Sequence, residues 1–393
     1  MSKTKPTTSV HRRRICFIST SDYALQNFLR DYVDQLAKGN EVVLVCNDDH
    51  GIPEPRDGVI YKQLQFRRNP SPFHDAIALI RLWWFLIRGR FDMVYTISPK
   101  GGLLGAVAAY FARIPLRVHF FTGQVWVTRT GLWRRLLKSF DQLIGRFCSQ
   151  ALIDSPSQKQ FLIDENVVTA KKALVLGSGS VAGIDCQRFE RSQTVRDSIR
   201  SDLGYCDDDI VLLYLGRLNQ DKGVLDLARA FTILAPEFGN ARLLMVGPDE
   251  GMQSQISQVL SDANVLDRVL FPGSTTEPEK FFCSGDVFCL PSYREGFGIV
   301  VLEAAAAKLP AVASNIYGLS DAVSNNETGL LHEPRNESDI ANQIRKLIVD
   351  EDLRNRMGNA AAKRAKEEFS SESLLAAFMD FHENVVRTFL IKK

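Results

Sequence analysis

Long apolar segments are missing from this chain of 393 residues, although 45% of its residues are hydrophobic. A helix that crosses a bilayer needs roughly 18 or more consecutive apolar residues. The longest candidate run, residues 103–112, falls well short of that length and follows Lys100. The beginning of the chain lacks the apolar core of a signal peptide, because three arginines at 12–14 lead directly into a short run at 15–18. The sequence therefore predicts a soluble fold in the cytosol.

Cysteine pairs and metal-binding clusters are also missing. The seven cysteines are odd in number and irregularly spaced, which argues against a disulfide framework. Cys283 and Cys289 have no neighbouring histidine or second cysteine pair, so we interpret them as buried thiols. The run at 207–209, "DDD", fits a D-x-D metal pattern formally, but it lies in a polar linker before a predicted strand and is interpreted as a solvated turn. The sequence thus predicts neither a bound metal nor a cofactor.

Charge is unevenly distributed, although the net charge is only +2. Residues 1–190 contain 26 Lys and Arg against 16 Asp and Glu, whereas the remaining residues contain 22 against 30. Between Tyr61 and Phe147 there are 14 basic and 3 acidic residues. Such a field draws the first half towards an anionic partner, and nucleic acid and the negatively charged membrane leaflet are the two candidates.

Short apolar runs rich in β-branched residues alternate with helix-period segments along most of the chain. This alternation predicts parallel sheets that are covered by helices on both faces. The predicted strands of the first half lie at 14–19, 41–46, 92–98, 116–121 and 173–176, with helices at 22–38, 100–113 and 131–149. The predicted strands of the second half lie at 210–216, 241–247, 268–273, 286–292 and 310–314.

A segment rich in glycine, serine and charge at 176–209 interrupts this alternation. We therefore predict an α/β protein with two doubly wound, Rossmann-like domains, residues 1–190 and 191–370, that face each other across a cleft. A closing helix at about 371–393 is expected to pack back on the first domain. Ligands of doubly wound sheets bind beyond the carboxyl ends of the strands, so the cleft is the expected site.

The stretch "YREGFGIVVLE" follows the predicted strand at 286–292. Its two glycines let the backbone approach a ligand closely, and the unpaired N–H groups of the helix that follows favour a phosphate. Glu303, about one turn into that helix, can accept hydrogen bonds from the hydroxyls of a ribose, and Glu295 from those of a sugar. The ordinary alternative is an exposed turn followed by an amphipathic helix with a stray acidic residue.

A second polar stretch, "LGRLNQDKG", follows the predicted strand at 210–216. It places Arg217 and Lys222 at a carboxyl edge, where two cations can clamp a diphosphate and neutralise the charge that develops as it leaves. The alternative is a pair of solvated cations on a loop. Together the two stretches predict one composite anion site.

In combination these stretches resemble the donor half of the family 4 retaining glycosyltransferases, which have the two-domain GT-B fold. The resemblance covers residues 210–335 and includes "ETGLL" at 327–331, with Glu295 and Glu303 as the E-x7-E pair. It implies that Arg217 and Lys222 bind the donor diphosphate, that Glu303 binds the nucleotide ribose and that Glu295 contacts the donor sugar. We assign Arg217, Lys222 and Glu295 to catalysis, and to donor binding Gly216, Gly273, Gly296, Phe297, Gly298 and Glu303.

Two stretches of the first half carry a finer resemblance, "SPKGGLLGAVAAYFARIPLRVHFFTGQVW" at 98–126 and "SPSQKQFL" at 155–162. They are similar to bacterial transferases that extend sugars on undecaprenyl diphosphate in capsule, O-antigen and lipid-linked oligosaccharide assembly. "KGG" at 100–102 follows a strand and opens a helix, which suits the diphosphate of a lipid-linked acceptor; a solvated lysine before a helix-opening glycine pair is the alternative. We assign to acceptor binding Lys100, Gly101, Gly102, Thr122, Gly123 and Gln124.

The chain departs from the family pattern near the reacting centre. Many members carry a glycine pair after the first strand, where this chain has "STSDYALQ" at 19–26. Many also place a histidine after the fifth strand, where this chain has "TGQ" at 122–124. His119 lies inside the strand pattern and is interpreted as a core residue. The linker reads "GSGSVAGID" where the wider family usually has an asparagine before the glycine.

Two helices, at 79–90 and 131–147, interleave aromatic residues with arginines. Such helices indicate either a core-facing stripe with a solvated back or docking to a membrane surface. A lipid-linked acceptor favours docking, so we predict an anionic membrane surface as a partner and exclude nucleic acid. The apolar stripe of the second helix comprises Leu132, Trp133, Leu136, Leu137, Phe140, Leu143, Ile144 and Phe147.

The sequence thus predicts a retaining, metal-independent glycosyltransferase at the inner face of the cell membrane. It takes a nucleotide-sugar, a UDP-sugar by preference, and transfers the sugar to an undecaprenyl-diphosphate-linked sugar. A sugar-nucleotide epimerase and a soluble disaccharide synthase are alternatives that the basic, Trp-rich first half disfavours. A non-enzymatic, membrane- or nucleic-acid-associated binding module with a degenerate nucleotide site is disfavoured by the intact set of Arg217, Lys222, Glu295 and Glu303.

Overall fold

A computed structural model describes residues 12–47, 56–67 and 71–391. The strands of its first sheet are β1 (Arg14–Ile18), β2 (Glu41–Cys46), β3 (Val59–Gln63), β4 (Met93–Ile97), β5 (Leu116–Phe121), β6 (Gln150–Ile153) and β7 (Ala173–Leu174). The helices of this half are α1 (Asp22–Asn27), α2 (Arg30–Ala37), α3 (Pro72–Gly89), α4 (Pro99–Phe111), α5 (Gly131–Phe147) and α6 (Pro156–Asp164).

The second half has its own sheet and a longer set of helices. Its strands are β8 (Ile210–Leu215), β9 (Ala241–Val246), β10 (Val269–Gly273), β11 (Val287–Leu290), β12 (Ala311–Ser314) and β13 (Gly329–His332). Its helices are α7 (Gln193–Asp202), α8 (Val224–Leu234), α9 (Gln253–Asp262), α10 (Pro278–Ser284), α11 (Ile299–Ala306), α12 (Leu319–Ala322), α13 (Glu337–Val349), α14 (Glu351–Glu368) and α15 (Ser371–Val386). Short 3₁₀ turns occupy Gln220–Lys222 and Leu266–Arg268, and a π-helical turn, Arg387–Ile391, follows α15.

Both sheets are doubly wound. The first has the order β3-β2-β1-β4-β5-β6-β7 and the second β10-β9-β8-β11-β12-β13, and all their strand pairs are parallel. In each sheet the chain first adds strands on one side of its first strand and then adds the remaining strands on the other side. The strand order therefore reverses between β1 and β4 in the first sheet and between β8 and β11 in the second. The crevice outside the carboxyl ends at such a reversal is where α/β sheets bind ligands. The predicted fold class is confirmed.

Burial of the strands follows from helices on both faces of each sheet. All five residues of β4 are buried, as are the four of β11, which matches the continuous apolar runs in their sequences. The edge strand β3 instead alternates between partly buried and exposed residues. Several helices begin at a capping side chain, as when Ser155 accepts a hydrogen bond from the backbone N–H of Gln158 at the start of α6.

The chain passes between the two halves at two adjacent places. The N–H of Ile184 donates to the carbonyl of Phe369 at 2.9 Å, and the N–H of Ser371 donates to the carbonyl of Ile184 at 3.0 Å. Beyond this crossing, α15 packs against α2 of the first half, with the ring of Phe378 stacked on Tyr32 at 4.1 Å. Residues 392 and 393 of the predicted closing helix lie outside the described residues.

Some elements differ from the sequence prediction. The predicted helix at 22–38 is two helices, because the backbone leaves the helical region at Leu29. Strands β3, β6 and β13 were not predicted, and each has only four or five residues. The predicted linker at 176–209 contains α7, a polar helix that Ser192 caps. None of the helices in the described ranges is long and apolar enough to cross a membrane.

Candidate active site

The loops after β8 and β11 meet through an ion pair. Lys222 Nζ donates to the carboxylate of Glu295, and the hydroxyl of Ser292 donates to the same carboxylate at 2.9 Å. Gly223 makes this approach possible: it has φ +65°, and a Cβ there would lie 2.0 Å from the carbonyl oxygen of Pro291. The two sequence stretches that predicted a composite site are therefore in direct contact.

Further bonds hold the 291–298 loop to the turn that precedes α8. The N–H of Tyr293 donates to the carbonyl of Asp221 at 2.8 Å, and Arg294 Nε lies 2.8 Å from Oδ2 of Asp221. The hydroxyl of Tyr293 donates to Asp226 at 2.6 Å. Burial acts to raise the pKa of Asp221, but Arg294, together with Thr128 and Arg129, holds that pKa below its ordinary value. Glu295 is thus held through its own carboxylate and through the neighbouring residues of its loop.

Arg217 lies at the rim of the same edge. Its Nη1 is 3.1 and 3.2 Å from the two carboxylate oxygens of Glu250, which also accepts from Asn219 at 2.7 Å. The hydroxyl of the buried Tyr214 donates to the backbone carbonyl of Arg217 at 2.7 Å. Arg217 and Lys222 are therefore both held by carboxylates.

The glycines assigned to the donor lie at strand and helix ends. Gly216 follows β8 and donates its N–H to Val246 at 2.9 Å. Gly273 ends β10 with φ +83°, and its carbonyl accepts from Gly247 at 2.8 Å. Gly298, with φ +91°, is the N-cap of α11. They mark the carboxyl edge of the second sheet from β10 to β11.

Phe297 and Glu303 differ in what their side chains contact. The ring of Phe297 is buried against Phe369 at 5.2 Å, so it belongs to the core. Glu303 lies four residues into α11, and its carboxylate has no hydrogen bond or ion pair with another described residue. Burial raises the pKa of Glu303 to about 7, although Arg188 opposes the shift. Glu303 is thus an acceptor without a partner in the described part of the chain.

The 122–124 loop of the first half faces this edge directly. A Cβ on Gly123 would lie 3.1 Å from the N atom of Gly296. Gln124 is buried, and its Nε2 donates to the carbonyl of Thr122 at 2.5 Å. The side chain of Gln124 is therefore turned into its own loop, while Gly123 is at the boundary with the second half.

Asp154, at the end of β6, is a residue of this boundary that the sequence interpretation missed. It is 5% exposed, and a Cβ on Gly296 would lie 2.2 Å from its Oδ2. Burial, assisted by the negative charge of Glu295, raises the pKa of Asp154 to about 8. The available signal was its place at the carboxyl end of a strand, directly before "SPSQKQFL", where doubly wound sheets bind ligands.

The "KGG" stretch lies in the first turn of α4, directly after β4. Lys100 Nζ lies 2.6 Å from Asp75 and donates to the carbonyl of Arg67 at 2.7 Å. A Cβ on Gly101 would lie 3.0 Å from the backbone N of Thr20. A Cβ on Gly102 would lie 2.3 Å from the ring of His119. The two glycines therefore allow α4 to pack closely on the β1–α1 loop and on β5.

His119 is a core residue, as the sequence indicated. It is 3% exposed, and its Nδ1 is 2.8 Å from the hydroxyl of Thr96. Burial lowers the pKa of His119 to about 3, so the ring is neutral at physiological pH. It does not take the place of the family's histidine.

The "DDD" run is only partly the solvated turn that was predicted. Asp207 and Asp208 are exposed, but Asp209 is buried and pairs with Arg242 at 3.0 Å. The reason is that Asp209 is the last residue before β8 and lies against β9. Within the described ranges, no group of three or more His, Cys, Asp or Glu side chains is arranged to hold a metal ion. Cys283 and Cys289 are buried free thiols.

Helices α3, α4 and α5 pack side by side on the first half, and their outer face carries exposed apolar side chains. The predicted stripe of α5 is divided: Ile144 is buried, whereas Leu132 is 79% and Trp133 67% exposed. The start of α5 is therefore not a core-facing helix. The large exposed side chains of the face are Phe73, Ile80, Trp84, Ile87, Tyr110, Phe111, Leu132, Trp133, Leu136 and Leu143.

Two doubly wound domains that meet at their carboxyl edges define the GT-B class of protein. Two family models match the chain: "Glycosyl transferase 4-like domain" over residues 25–179 and "Glycosyl transferases group 1" over residues 195–364. The chain is also 30% identical over 366 residues to the capsular polysaccharide biosynthesis glycosyltransferase CapM of Staphylococcus aureus, covering 92% of this chain and 94% of CapM. The chain belongs to the family 4, or group 1, glycosyltransferases.

The chain is also similar to a second curated relative and to a solved structure. The UDP-Gal:alpha-D-GlcNAc-diphosphoundecaprenol alpha-1,3-galactosyltransferase of Escherichia coli is 28% identical over 289 residues, which are 73% of this chain and 74% of that enzyme. The crystal structure of HepE from Anabaena in complex with UDP and glucose superposes with a TM-score of 0.78 at 18% identity, covering 95% of this chain and all of HepE. The likeness to HepE supports the fold alone.

Proposed function

We propose that this glycosyltransferase moves a sugar from a UDP-sugar to an undecaprenyl-diphosphate-linked sugar, with retention of the anomeric configuration. The observation that carries the proposal is the Lys222–Glu295 pair beside Gly296, which faces Gly123 of the other half. A cation, a sugar-binding carboxylate and the backbone N–H groups before α11 then meet where two substrates from two domains can react. In this proposal residues 1–190 bind the acceptor and residues 191–370 bind the donor.

The donor diphosphate replaces carboxylates that the site's cations already hold. Lys222 is paired with Glu295 and Arg217 with Glu250. A diphosphate is a stronger hydrogen-bond acceptor with more charge, so it takes over both cations and releases Glu295 for the hydroxyls of the donor sugar. The N–H groups at Gly296 and at the start of α11 complete the phosphate site.

The nucleoside is held further along α11. Glu303 has no side-chain partner among the described residues, and a carboxylate there accepts hydrogen bonds from the two ribose hydroxyls. Gly273, at the carboxyl end of β10, lets the backbone approach the base. The UDP found in the HepE structure supports this choice of nucleotide.

The acceptor binds to the first half, opposite the donor. Thr122 and Gly123 lie at the boundary, and we assign the reacting sugar of the acceptor to this loop. Lys100 is assigned to the acceptor diphosphate, which must displace the Asp75 carboxylate from it. The name of the Escherichia coli relative, which acts on a sugar linked to diphosphoundecaprenol, supports an acceptor of this class.

Retention follows from attack on the face that the leaving group departs from. The acceptor oxygen forms a bond to the anomeric carbon of the donor sugar while the bond between that carbon and the diphosphate oxygen breaks. The proton of the acceptor hydroxyl passes to the departing phosphate. Lys222 and Arg217 stabilise the charge that develops on that phosphate. We expect this electrostatic stabilisation to be the largest single contribution to the rate. No metal ion is needed in this scheme.

The lipid acceptor requires the enzyme to work at the membrane surface. We assign this contact to the outer face of α3, α4 and α5, where Trp84 and Trp133 are exposed beside Arg88 and Arg135. Aromatic side chains enter the headgroup region, and arginines are attracted to anionic lipid. The proposed location is the cytoplasmic face of the cell membrane.

The test is a donor screen with and without acceptor. The purified protein is incubated with UDP-, GDP- and dTDP-sugars, and release of nucleoside diphosphate is measured with a polyprenyl-diphosphate-linked sugar present or absent. We expect release from a UDP-sugar that depends on the acceptor. Conversion of a nucleotide-sugar without acceptor would indicate an epimerase, and no reaction with any pair would overturn the proposal.

A further inference from the structure

The first turn of α6 contacts the 122–124 loop and the second half at the same time. This turn lies in "SPSQKQFL", and its start is fixed by Pro156 in the first position and by the Ser155 cap. The adjacent residues Ser157 and Gln158 then point to different loops. Because the two residues share one helical turn, we expect a shift of either loop to move the other.

Gln158 uses its whole amide group on the first half. It is fully buried, and its Oε1 accepts from the N–H of Asp154 at 3.0 Å. Its Nε2 donates to the carbonyl of Thr122 at 2.7 Å and to Oε1 of Gln124 at 3.0 Å. The loop that faces Gly296 is therefore tied to the end of β6 by one side chain.

Ser157 makes the opposite connection. Its N–H donates to Oδ2 of Asp321 at 3.0 Å, its hydroxyl donates to the same oxygen, and that hydroxyl accepts from the N–H of Gly318 at 2.9 Å. Gly318 supports the 291–298 loop, since a Cβ there would lie 2.4 Å from the carbonyl of Gly296. Ser157 thus reaches the backbone that holds Glu295 and Gly296.

A column of three stacked rings continues this connection one turn further along α6. Phe161 stacks on Tyr317 of the second half at 4.7 Å and on Trp126 of the first half at 5.4 Å. Trp126 follows the 122–124 loop, and Tyr317 precedes Gly318. The polar contacts and the rings join the same two segments, so α6 is clamped between them.

We propose that Gln158 and Ser157 are positioning residues for sugar transfer, an inference that rests on the proposed function. Gln158 orients the 122–124 loop for the lipid-linked acceptor. Ser157 sets that loop at a fixed distance from the donor-binding 291–298 loop. The "SPSQKQFL" stretch, which the chain shares with undecaprenyl-diphosphate-dependent transferases by resemblance, thereby gains a role in aligning the two substrates.

Steady-state kinetics separate this role from a general loss of stability. Gln158→Met keeps the side-chain length but removes the donor to Oε1 of Gln124 and one of the two donors to the carbonyl of Thr122, so we expect the KM for the acceptor to rise roughly tenfold or more. The KM for the UDP-sugar is expected to stay within about twofold of wild type. Ser157→Ala is expected to lower kcat with both KM values nearly unchanged. Gln160→Met, the same change at an exposed position of α6, is the control.

Hydrogen exchange by mass spectrometry tests the geometry without any substrate. We expect faster exchange over residues 119–128 in Gln158→Met and over residues 314–323 in Ser157→Ala, with wild-type rates in Gln160→Met. If Gln158→Met fails to fold, Gln158→Glu, which keeps the bond from Asp154, is used in its place. Equal effects of the Gln158 and Gln160 variants on exchange and on acceptor KM, or an equal rise of both KM values, would overturn the inference. A wild-type protein without transferase activity would instead overturn the proposed function, and local changes in exchange would still support the loop-holding role.

Discussion

At the scale of single residues, each cation of the site is paired with a carboxylate from a neighbouring loop. Lys222 is bound to Glu295, and Arg217 to Glu250. These pairs hold the two side chains at the sheet edge, where we propose that the donor diphosphate binds. In our account, the fixed placement of Lys222 and Arg217 before the reaction is the property that sets its rate.

Removal of either cation is expected to abolish most of the turnover. We predict that Lys222→Ala and Arg217→Ala each lower kcat by roughly 10²–10³, because each removes a fixed donor to the developing charge. Circular dichroism should show folded proteins, and Lys346→Ala, at an exposed position of α13, serves as the control. Wild-type turnover in either folded variant would exclude the clamp.

Nucleotide binding is expected to depend on pH through Glu303. Its pKa is raised to about 7, so the carboxylate is increasingly protonated below that pH and accepts fewer hydrogen bonds. We predict that UDP affinity falls as the pH drops from 8 to 6, by up to about tenfold per pH unit. Calorimetry on wild type and Glu303→Gln tests this, because the ionisation of UDP itself affects both proteins equally. The same pH dependence in the variant would refute the assignment.

Asp154 is expected to destabilise the protein as the pH rises. Its pKa is about 8 in the folded chain against 3.8 for the ordinary group, so between these values the folded state holds a proton that the unfolded state has lost. Stability then falls by about 1.4 kcal/mol per pH unit from this group. We predict that the Tm of Asp154→Asn, relative to wild type, increases from pH 5 to pH 8. Asp164→Asn at an exposed site is the control, and a constant difference would contradict the prediction.

The sequence predicted the charged residues of the candidate site but not the residues that hold them in place. Lys222 and Glu295 follow predicted strands directly, and parallel strands bring their carboxyl ends to one edge. Gln158 and Ser157 act through hydrogen bonds to backbone groups distant in sequence, such as the carbonyl of Thr122. Polar residues in a first helical turn are common as caps, so their sequence context did not separate a cap from a link between domains.

At the scale of elements, the outer face of α3, α4 and α5 is where the structure adds most to the sequence. The apolar stripe of α5 predicted either a core or a membrane contact, and exposure of Leu132 and Trp133 favours the second. Arg134, by contrast, is held by Glu165 at 3.1 Å and packs over Trp126. Which arginines are available to lipid could not be read from helical periodicity, because Glu165 lies at the end of a different helix, α6.

We predict that this face binds anionic vesicles. Each exposed arginine near such a surface contributes on the order of 1 kcal/mol, so a triple variant with Arg81, Arg88 and Arg135 changed to Glu should lose most binding at low salt. Leu132→Ser with Trp133→Ser should weaken the part that resists salt. Co-sedimentation with and without anionic lipid measures both.

A matched control changes three exposed cations of the second half, Arg229, Lys280 and Lys346, to Glu. It removes the same charge from the molecule but leaves the α3–α5 face intact, so binding should remain. If this control loses binding as strongly as the first triple variant, only net charge matters and the face has no specific role.

Short strands were the elements that sequence predicted least well. β6 and β13 have four residues each, too few for a periodic signal, and β13 begins with Gly329. The longer strands β2, β5 and β9 were predicted within one residue of their observed bounds. Their identification was sufficient to define both sheets, because β3 and β13 are edge strands and β6 lies next to the edge strand β7, so the central order does not depend on them.

At the scale of the whole molecule, charge and architecture are divided between the same two halves. The basic residues are concentrated in the half that carries the exposed aromatic face, and the acidic excess is in the half that contains Arg217 and Lys222, the proposed diphosphate clamp. In the proposed function, attraction to an anionic leaflet would orient the first half towards the lipid and the second half towards the cytosol, where nucleotide-sugars are dissolved. The boundary between the halves contains Gly123, Asp154 and Gly296.

The most direct measurement follows one acceptor molecule through the reaction. An undecaprenyl-diphosphate-linked sugar is incubated with the UDP-sugar selected by the donor screen, in EDTA, and the product is analysed by mass spectrometry and by NMR of the new anomeric centre. We predict that the acceptor gains one sugar for each UDP released, that the linkage keeps the anomeric configuration of the donor, and that Lys222→Ala forms almost no product. An inverted linkage, an absolute need for Mg²⁺ or Mn²⁺, or UDP release without a glycosylated acceptor would contradict the account.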